Sequence, residues 1–102
     1  MINRETISKM KDGVILINDA RGGLIVEEDL IDALNSGKVY AAGLDATAYD
    51  NGHHATPLMD CDNARITAHI AWFPMEARLR DIEIAALNLK NYLEGHPTSV
   101  IL

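Results

Sequence analysis

Val14-Ile15-Leu16-Ile17-Asn18-Asp19-Ala20-Arg21-Gly22-Gly23 is a short apolar run that ends in a polar, glycine-rich turn. Four apolar residues between Gly13 and Asn18 suit a strand buried on both faces, as in a parallel sheet. The turn delivers Arg21, and Gly22 and Gly23 open backbone angles closed to other residues. In open α/β sheets, ligands bind beyond the carboxyl ends of the strands. An arginine there can clamp a carboxylate or phosphate, because its planar fork makes two parallel hydrogen bonds. The alternative is a surface arginine that caps a loop.

Upstream of this strand, Asn3 can cap a short helix from about Arg4 to Met10, and Lys11-Asp12-Gly13 stops it. Downstream, Leu24-Ile25-Val26 is too short to assign beyond a loop or strand remnant. Glu27-Glu28-Asp29 opens a second helix, its carboxylates near the positive end of the dipole. As a charge run it needs no role beyond a solvated face. Leu30, Ala33 and Leu34 supply the apolar stripe, and Gly37 is the expected stop. Val39 to Leu44 is the second strand candidate, and its small residues suggest a close neighbour. From Ala46 to Asn63 the periodicity fails, with turn signals at Asn51-Gly52 and Pro57. Arg65-Ile66-Thr67 is a short third strand.

Met75, Leu79, Ile82, Ala86, Leu89 and Leu93 recur at alternating spacings of four and three, which predicts a long amphipathic helix. Ile84, Ala85, Leu87 and Tyr92 widen its apolar surface, so it packs against more than one neighbour or lies partly uncovered. Gly95 and Pro97 end it. Strands alternating with helices imply a parallel sheet. Three strands make half of a doubly wound domain rather than a whole one.

The 102 residues suffice for one small domain. A net charge of −6 argues against nucleic acid or an anionic membrane as partner, since both need a basic face. No apolar run has the length of a membrane span, and Met1 to Glu5 is unlike a signal peptide. With Cys61 as the only cysteine, a reducing cytoplasm is the expectation. His53-His54, Cys61 and His69 fit no strong zinc spacing, so no metal site is assigned. Cys61 is read as a small loop or core residue, Trp72 and Phe73 as packing residues, and His96 as solvated.

Arg21, Asp45 and His69 each follow a predicted strand and should gather on one sheet edge, with Asp50 a few residues into the second loop. An arginine, carboxylates and a histidine form a plausible set for proton transfer beside an anionic substrate.

Met10 through Asn18, Ala20-Arg21-Gly22-Gly23, Leu30 with Ala33 through Gly37, Gly43-Leu44-Asp45 and His69-Ile70-Ala71-Trp72 together resemble the D-isomer-specific 2-hydroxyacid dehydrogenases. The ending, from Ile70-Ala71-Trp72 through Glu76-Ala77-Arg78 to Gly95 and Pro97, favours the glycerate dehydrogenase, or hydroxypyruvate reductase, branch. The resemblance implies an α/β fold: the second half of a Rossmann-like doubly wound parallel sheet of about three strands, plus a long C-terminal helix. Residues 1–102 would form one partial domain, the C-terminal half of an NAD-binding domain. Residues 75–102 would return towards a substrate domain outside this chain.

The same resemblance implies hydride transfer between NAD(H) and a small D-2-hydroxy acid. Arg21 would bind the substrate carboxylate and polarise its 2-oxo group. His69 would be the general acid/base. Asp50 falls where the family has the glutamate that holds this histidine, and a carboxylate there favours the imidazolium. Asp45 would accept from the nicotinamide carboxamide, and Asn18, Ala20, Arg21, His69 and Ala71 would also touch the cofactor. Trp72 would lie near the active-site cleft.

Several positions depart from the family pattern. Asp50 is one methylene shorter than the glutamate, Asn51 stands for a proline, and Ala68 stands for the proline before the histidine. Asp19, where threonine is common, could pair with Arg21. The glycine fingerprint Gly-x-Gly-x-x-Gly does not occur, so no helix N-terminus is offered to a pyrophosphate. The isolated chain is therefore expected to be inactive. The competing reading is a non-catalytic module that associates with itself or with a homologous chain through an open sheet edge and an uncovered helix face. A homo-oligomer is expected.

Overall fold

The computed structural model describes residues 1–48 and 56–101. It divides into two compact units, Met1–Ile70 and Ala71–Leu102.

The first unit is an α/β layer built on a parallel three-stranded sheet. Helix α1 (Arg4–Ser8) leads to strand β1 (Val14–Asn18), helix α2 (Glu27–Asn35), strand β2 (Val39–Leu44) and strand β3 (Ala64–Ile66). The spatial order is β1-β2-β3, all parallel. Asn3 caps α1 by accepting from the Thr6 N–H at 3.0 Å, and its own N–H donates to Thr6 Oγ1 at 2.9 Å. The helix ends two residues short of the expected Met10. The Met10 N–H turns back to Ile7 O, and the Met10 carbonyl is taken by Lys38 Nζ at 2.6 Å.

Leu24-Ile25-Val26 resolves into a 3-10 turn over Gly22–Leu24 and a single parallel bridge between Ile25 and Ile2. The second loop holds another 3-10 turn, Pro57–Asp60, whose Leu58 N–H donates to Thr56 Oγ1. The third strand starts one residue earlier than its composition suggests. Even so, the Thr67 N–H continues the ladder to Leu44 O at 2.9 Å.

Leu16, Val39, Ala42, Leu44 and Ala64 form the core with Ile7 from α1, Leu30, Ala33 and Leu34 from α2, and Leu58 and Cys61 from the second loop. Cys61 is thus a core residue, and burial raises its thiol pKa, helped by Asp60 and Asp62.

The expectation that β1 is buried on both faces is corrected. Leu16 and Asn18 are buried, whereas Ile15 and Ile17 are 59% and 76% exposed. In register, Ile15 stands beside Ala41, and Ile17 beside Gly43, which in turn pairs with Arg65, so these residues share the uncovered face. The small residues of β2 mark no close neighbour there. A Cβ on Gly43 would meet only Ile17 Cγ1, at an ordinary 3.9 Å. An apolar strand therefore covers one face within this unit and offers the other.

The second unit contains helix α3 (Met75–Leu93), closed by Gly95 at φ +80. Beyond it, Thr98 Oγ1 sits within hydrogen-bonding distance of Asn88 and Asn91. No residue of α3 is buried, so its broad apolar surface, including Leu79, Ile82, Leu89 and Leu93, lies open. Trp72 and Phe73 are not core residues either. Both are more than half exposed, and they pack edge to face with each other at 5.6 Å. Arg78 stands over the Phe73 ring at 5.7 Å. Among the described residues, no helix is long and apolar enough to cross a membrane.

Candidate active site

The site is built where the strands of the first unit end. Parallel strands bring their carboxyl ends to one edge, and hydrogen bonds lock the ends together here. The Asp45 N–H donates to Asn18 O at 2.9 Å, joining the exit of β2 to the last residue of β1.

Asn18 shapes the turn that delivers Arg21. Its Oδ1 accepts from the Ala20 N–H at 3.1 Å, and its Nδ2 donates to Arg21 O at 2.8 Å. This is an asparagine-stabilised turn, the local bonding that suits asparagine to such positions. With Asn18 only 8% exposed, the turn has a buried anchor. The Arg21 side chain is exposed; its Nη1 donates to Ala20 O at 2.7 Å and lies 3.5 Å from His69 Nε2. An N–H pointed at a ring nitrogen is accommodated when that nitrogen carries the lone pair. Asp19 makes no ion pair with Arg21.

Asp45 anchors the other half of the site. It is 7% exposed, and its Oδ1 accepts from Thr67 Oγ1 at 2.5 Å and from the Ile70 N–H at 2.9 Å. Between those donors stands His69 at φ 55, in the left-handed region.

Arg21 and His69 thus meet, with Asn18, Ala20 and Asp45 directly behind them. Asp50, His53 and His54 lie outside the described residues. Ala71 is exposed and opens the second unit, as its first residue.

Two residues at this edge carry more than their sequence context suggests. Glu27 belongs to the run read as a solvated face, yet its Oε1 accepts from the Ala48 N–H and its Oε2 from Thr56 Oγ1, both at 2.7 Å. One carboxylate therefore holds both flanks of the second loop. Nothing in the run Glu27-Glu28-Asp29 marks the first member as the one that does this. Asp29 is also engaged, accepting from the Arg4 N–H at 2.8 Å. Gly22 is the second residue. A Cβ there would lie 2.0 Å from Thr47 C and 2.1 Å from Thr47 O, so the Arg21 turn and the second loop touch backbone to backbone. The glycine pair signals this position only in part, since a Cβ on Gly23 would meet nothing within 4 Å.

A parallel sheet with polar loop residues gathered at its carboxyl edge defines an open α/β class of fold that binds ligands at that edge. Residues 1–71 match the family model described as D-isomer specific 2-hydroxyacid dehydrogenase, NAD binding domain, and the chain belongs to that family. It is 52% identical over 101 residues to a hydroxypyruvate reductase of Blautia hydrogenotrophica, covering 99% of this chain and 31% of that protein. A glycerate dehydrogenase of Methylorubrum extorquens is 37% identical over 103 residues, covering 99% of this chain and 33% of its own. The fold matches the D-lactate dehydrogenase of Aquifex aeolicus, solved with NAD and lactic acid, at a TM-score of 0.65 and 33% identity. That match covers 94% of this chain and 33% of the Aquifex chain. The chain thus spans about a third of the length of the curated relatives it matches.

Proposed function

We propose that this chain is the part of an NAD-dependent oxidoreductase that supplies the substrate-binding arginine and the proton-transfer histidine. The reaction is hydride transfer between nicotinamide and a small D-2-hydroxy acid of the glycerate or hydroxypyruvate kind. The observation that carries this reading is the 3.5 Å approach of Arg21 Nη1 to His69 Nε2 at the carboxyl edge of a parallel sheet.

The guanidinium fork of Arg21 takes the substrate carboxylate and the 2-oxo oxygen. Both are acceptors, and arginine is donor-only and permanently charged. Once the substrate occupies Arg21, His69 Nε2 is released from that contact and, carrying a proton, gives it to the oxo oxygen as negative charge develops there, and takes it back in the oxidative direction. Asp50 is proposed as the carboxylate that holds His69. The nicotinamide, when bound, supplies or accepts the hydride. Asp45 would accept from its carboxamide, with Asn18 and Ala20 beside it, and Ala71 is proposed as a further cofactor contact. The buried carboxylate of Asp45 at the sheet edge suits that end of the cofactor. The sequence has no glycine fingerprint for the pyrophosphate, so the 102 residues alone are expected not to turn over.

Residues 1–102 are proposed as one partial domain of the enzyme, with 75–102 returning towards its substrate domain, in a cytoplasmic homo-oligomer. Self-association is favoured by the uncovered Ile15 and Ile17 of β1 and the open apolar surface of α3.

The test is a titration of the isotopically labelled chain with oxamate, which carries an oxo group beside a carboxylate. Saturable, concerted shifts of the Arg21 Nε–H and His69 ring resonances, lost in Arg21→Gln, are expected. Shifts that ignore both residues would contradict the reading.

A further inference from the structure

We propose that Asp45 is a positioning residue for His69: its carboxylate brackets the histidine turn and holds the ring beside Arg21. This rests on His69 being the proton-transfer group, and it adds a task to Asp45 beyond any contact with the cofactor.

The argument begins with the backbone. His69 sits at φ 55, a region that side chains with a Cβ avoid. A residue stays there only when its surroundings enforce it. Ala68 carries no pyrrolidine ring, so nothing covalent stiffens the approach to the histidine. The enforcement comes from Asp45 Oδ1. It accepts from Thr67 Oγ1, two residues before His69, and from the Ile70 N–H, one residue after it. Those two bonds span the turn like a staple. The carboxylate is buried, so water competes poorly for it.

The staple is tied in turn to the Arg21 side of the site. The Asp45 N–H donates to Asn18 O, and the Asn18 side chain holds the Ala20–Arg21 turn. Two buried polar residues at adjacent strand ends therefore each hold one loop, and each loop presents one half of the pair. The distance between Arg21 and His69 is set by Asn18 and Asp45, neither of which needs to touch the reacting atoms.

The experiment is nuclear magnetic resonance on the labelled 102-residue chain, without cofactor or substrate. It compares wild type with Asp45→Asn, Asp45→Ala and Thr67→Val. In Asp45→Ala, the Ile70 amide should exchange with solvent faster by on the order of tenfold or more, as expected for a locally opened turn. The cross-relaxation between the His69 ring and the Arg21 side chain should vanish. Asp45→Asn retains an oxygen in place of Oδ1 and should restore both signals. Thr67→Val removes one arm of the staple and should fall between wild type and Asp45→Ala. The Ala20 amide, held by Asn18, serves as the control and should not move in any variant.

An unchanged Ile70 amide and His69–Arg21 proximity in Asp45→Ala would overturn the proposal. So would an equal loss at Ala20, which would make Asp45 a general support of the strand ends. Should Asp45→Ala not fold, Thr67→Val decides by the same readings. Because no turnover is measured, failure here leaves the oxidoreductase reading standing. A chain that binds no oxamate would sink that reading while leaving the staple intact.

Discussion

Arg21 Nη1 lies 3.5 Å from His69 Nε2, although the two residues are 48 positions apart in sequence. The β1 and β3 exits bring them together, and each is held from behind by a buried polar neighbour. Replacing Arg21 by Gln removes the charge and the fork. It should weaken binding of a 2-oxo acid analogue about 10- to 100-fold, the worth of a charge-assisted hydrogen bond. Arg21→Lys should recover only part of the loss, because an ammonium cannot make the bidentate contact. Calorimetric titration with oxamate measures all three proteins.

Gly22 and Gly23 are neighbours with opposite expectations. Gly22→Ala would push a methyl into the Thr47 and Ala48 backbone, where no side chain can rotate away. It should cost at least about 2 kcal/mol of stability. Gly23→Ala has open space and should stay within about 0.5 kcal/mol of wild type. Urea unfolding of the two variants side by side reads the difference.

Glu27→Gln should separate the loop-holding carboxylate from its exposed neighbours. A glutamine presents one oxygen where two donors, the Ala48 N–H and the Thr56 hydroxyl, now each find one. The expected loss is about 1–2 kcal/mol. Glu28→Gln, at an exposed position, should change little. Amide exchange at Ala48 in the two variants checks it locally.

Stability should also fall at alkaline pH through Cys61. Burial raises its folded pKa above the ordinary 9.0, with Asp60 and Asp62 adding to the effect. Above the unfolded-state pKa, the unfolded chain gives up its thiol proton while the folded chain keeps it. The contribution is thus complete below that value and is lost as pH rises towards the folded pKa. Denaturation midpoints measured from pH 8 upwards should decline in wild type and decline less in Cys61→Ala.

The elements were largely legible because their signals are local. Gly37 and Gly95 take positive φ just past the ends of α2 and α3, Gly13 does so in the turn before β1, and the four-three spacing bounds α3 at Met75 and Leu93. The convergence of Arg21, Asp45 and His69 on one edge was legible too, since each follows a strand and parallel strands share an exit side. What escaped depends on partners distant in the chain. An unbroken apolar run does not tell which face is covered, and Ile15 and Ile17 proved open. Glu27 looks like Glu28 until the loop 21 residues away is folded against it. Thr67 gains its importance only from a carboxylate 22 residues earlier.

The most direct test of the central claim is a chimera of the Blautia hydroxypyruvate reductase in which this chain replaces the matching segment. The remainder of that protein then supplies what these 102 residues do not contain. NADH-dependent reduction of hydroxypyruvate is predicted for the chimera. It should fall by at least about a hundredfold in His69→Asn, the usual scale for losing a general acid. The 102-residue chain assayed alone should show none. A folded chimera that is inactive, or one whose activity survives His69→Asn, would contradict the account.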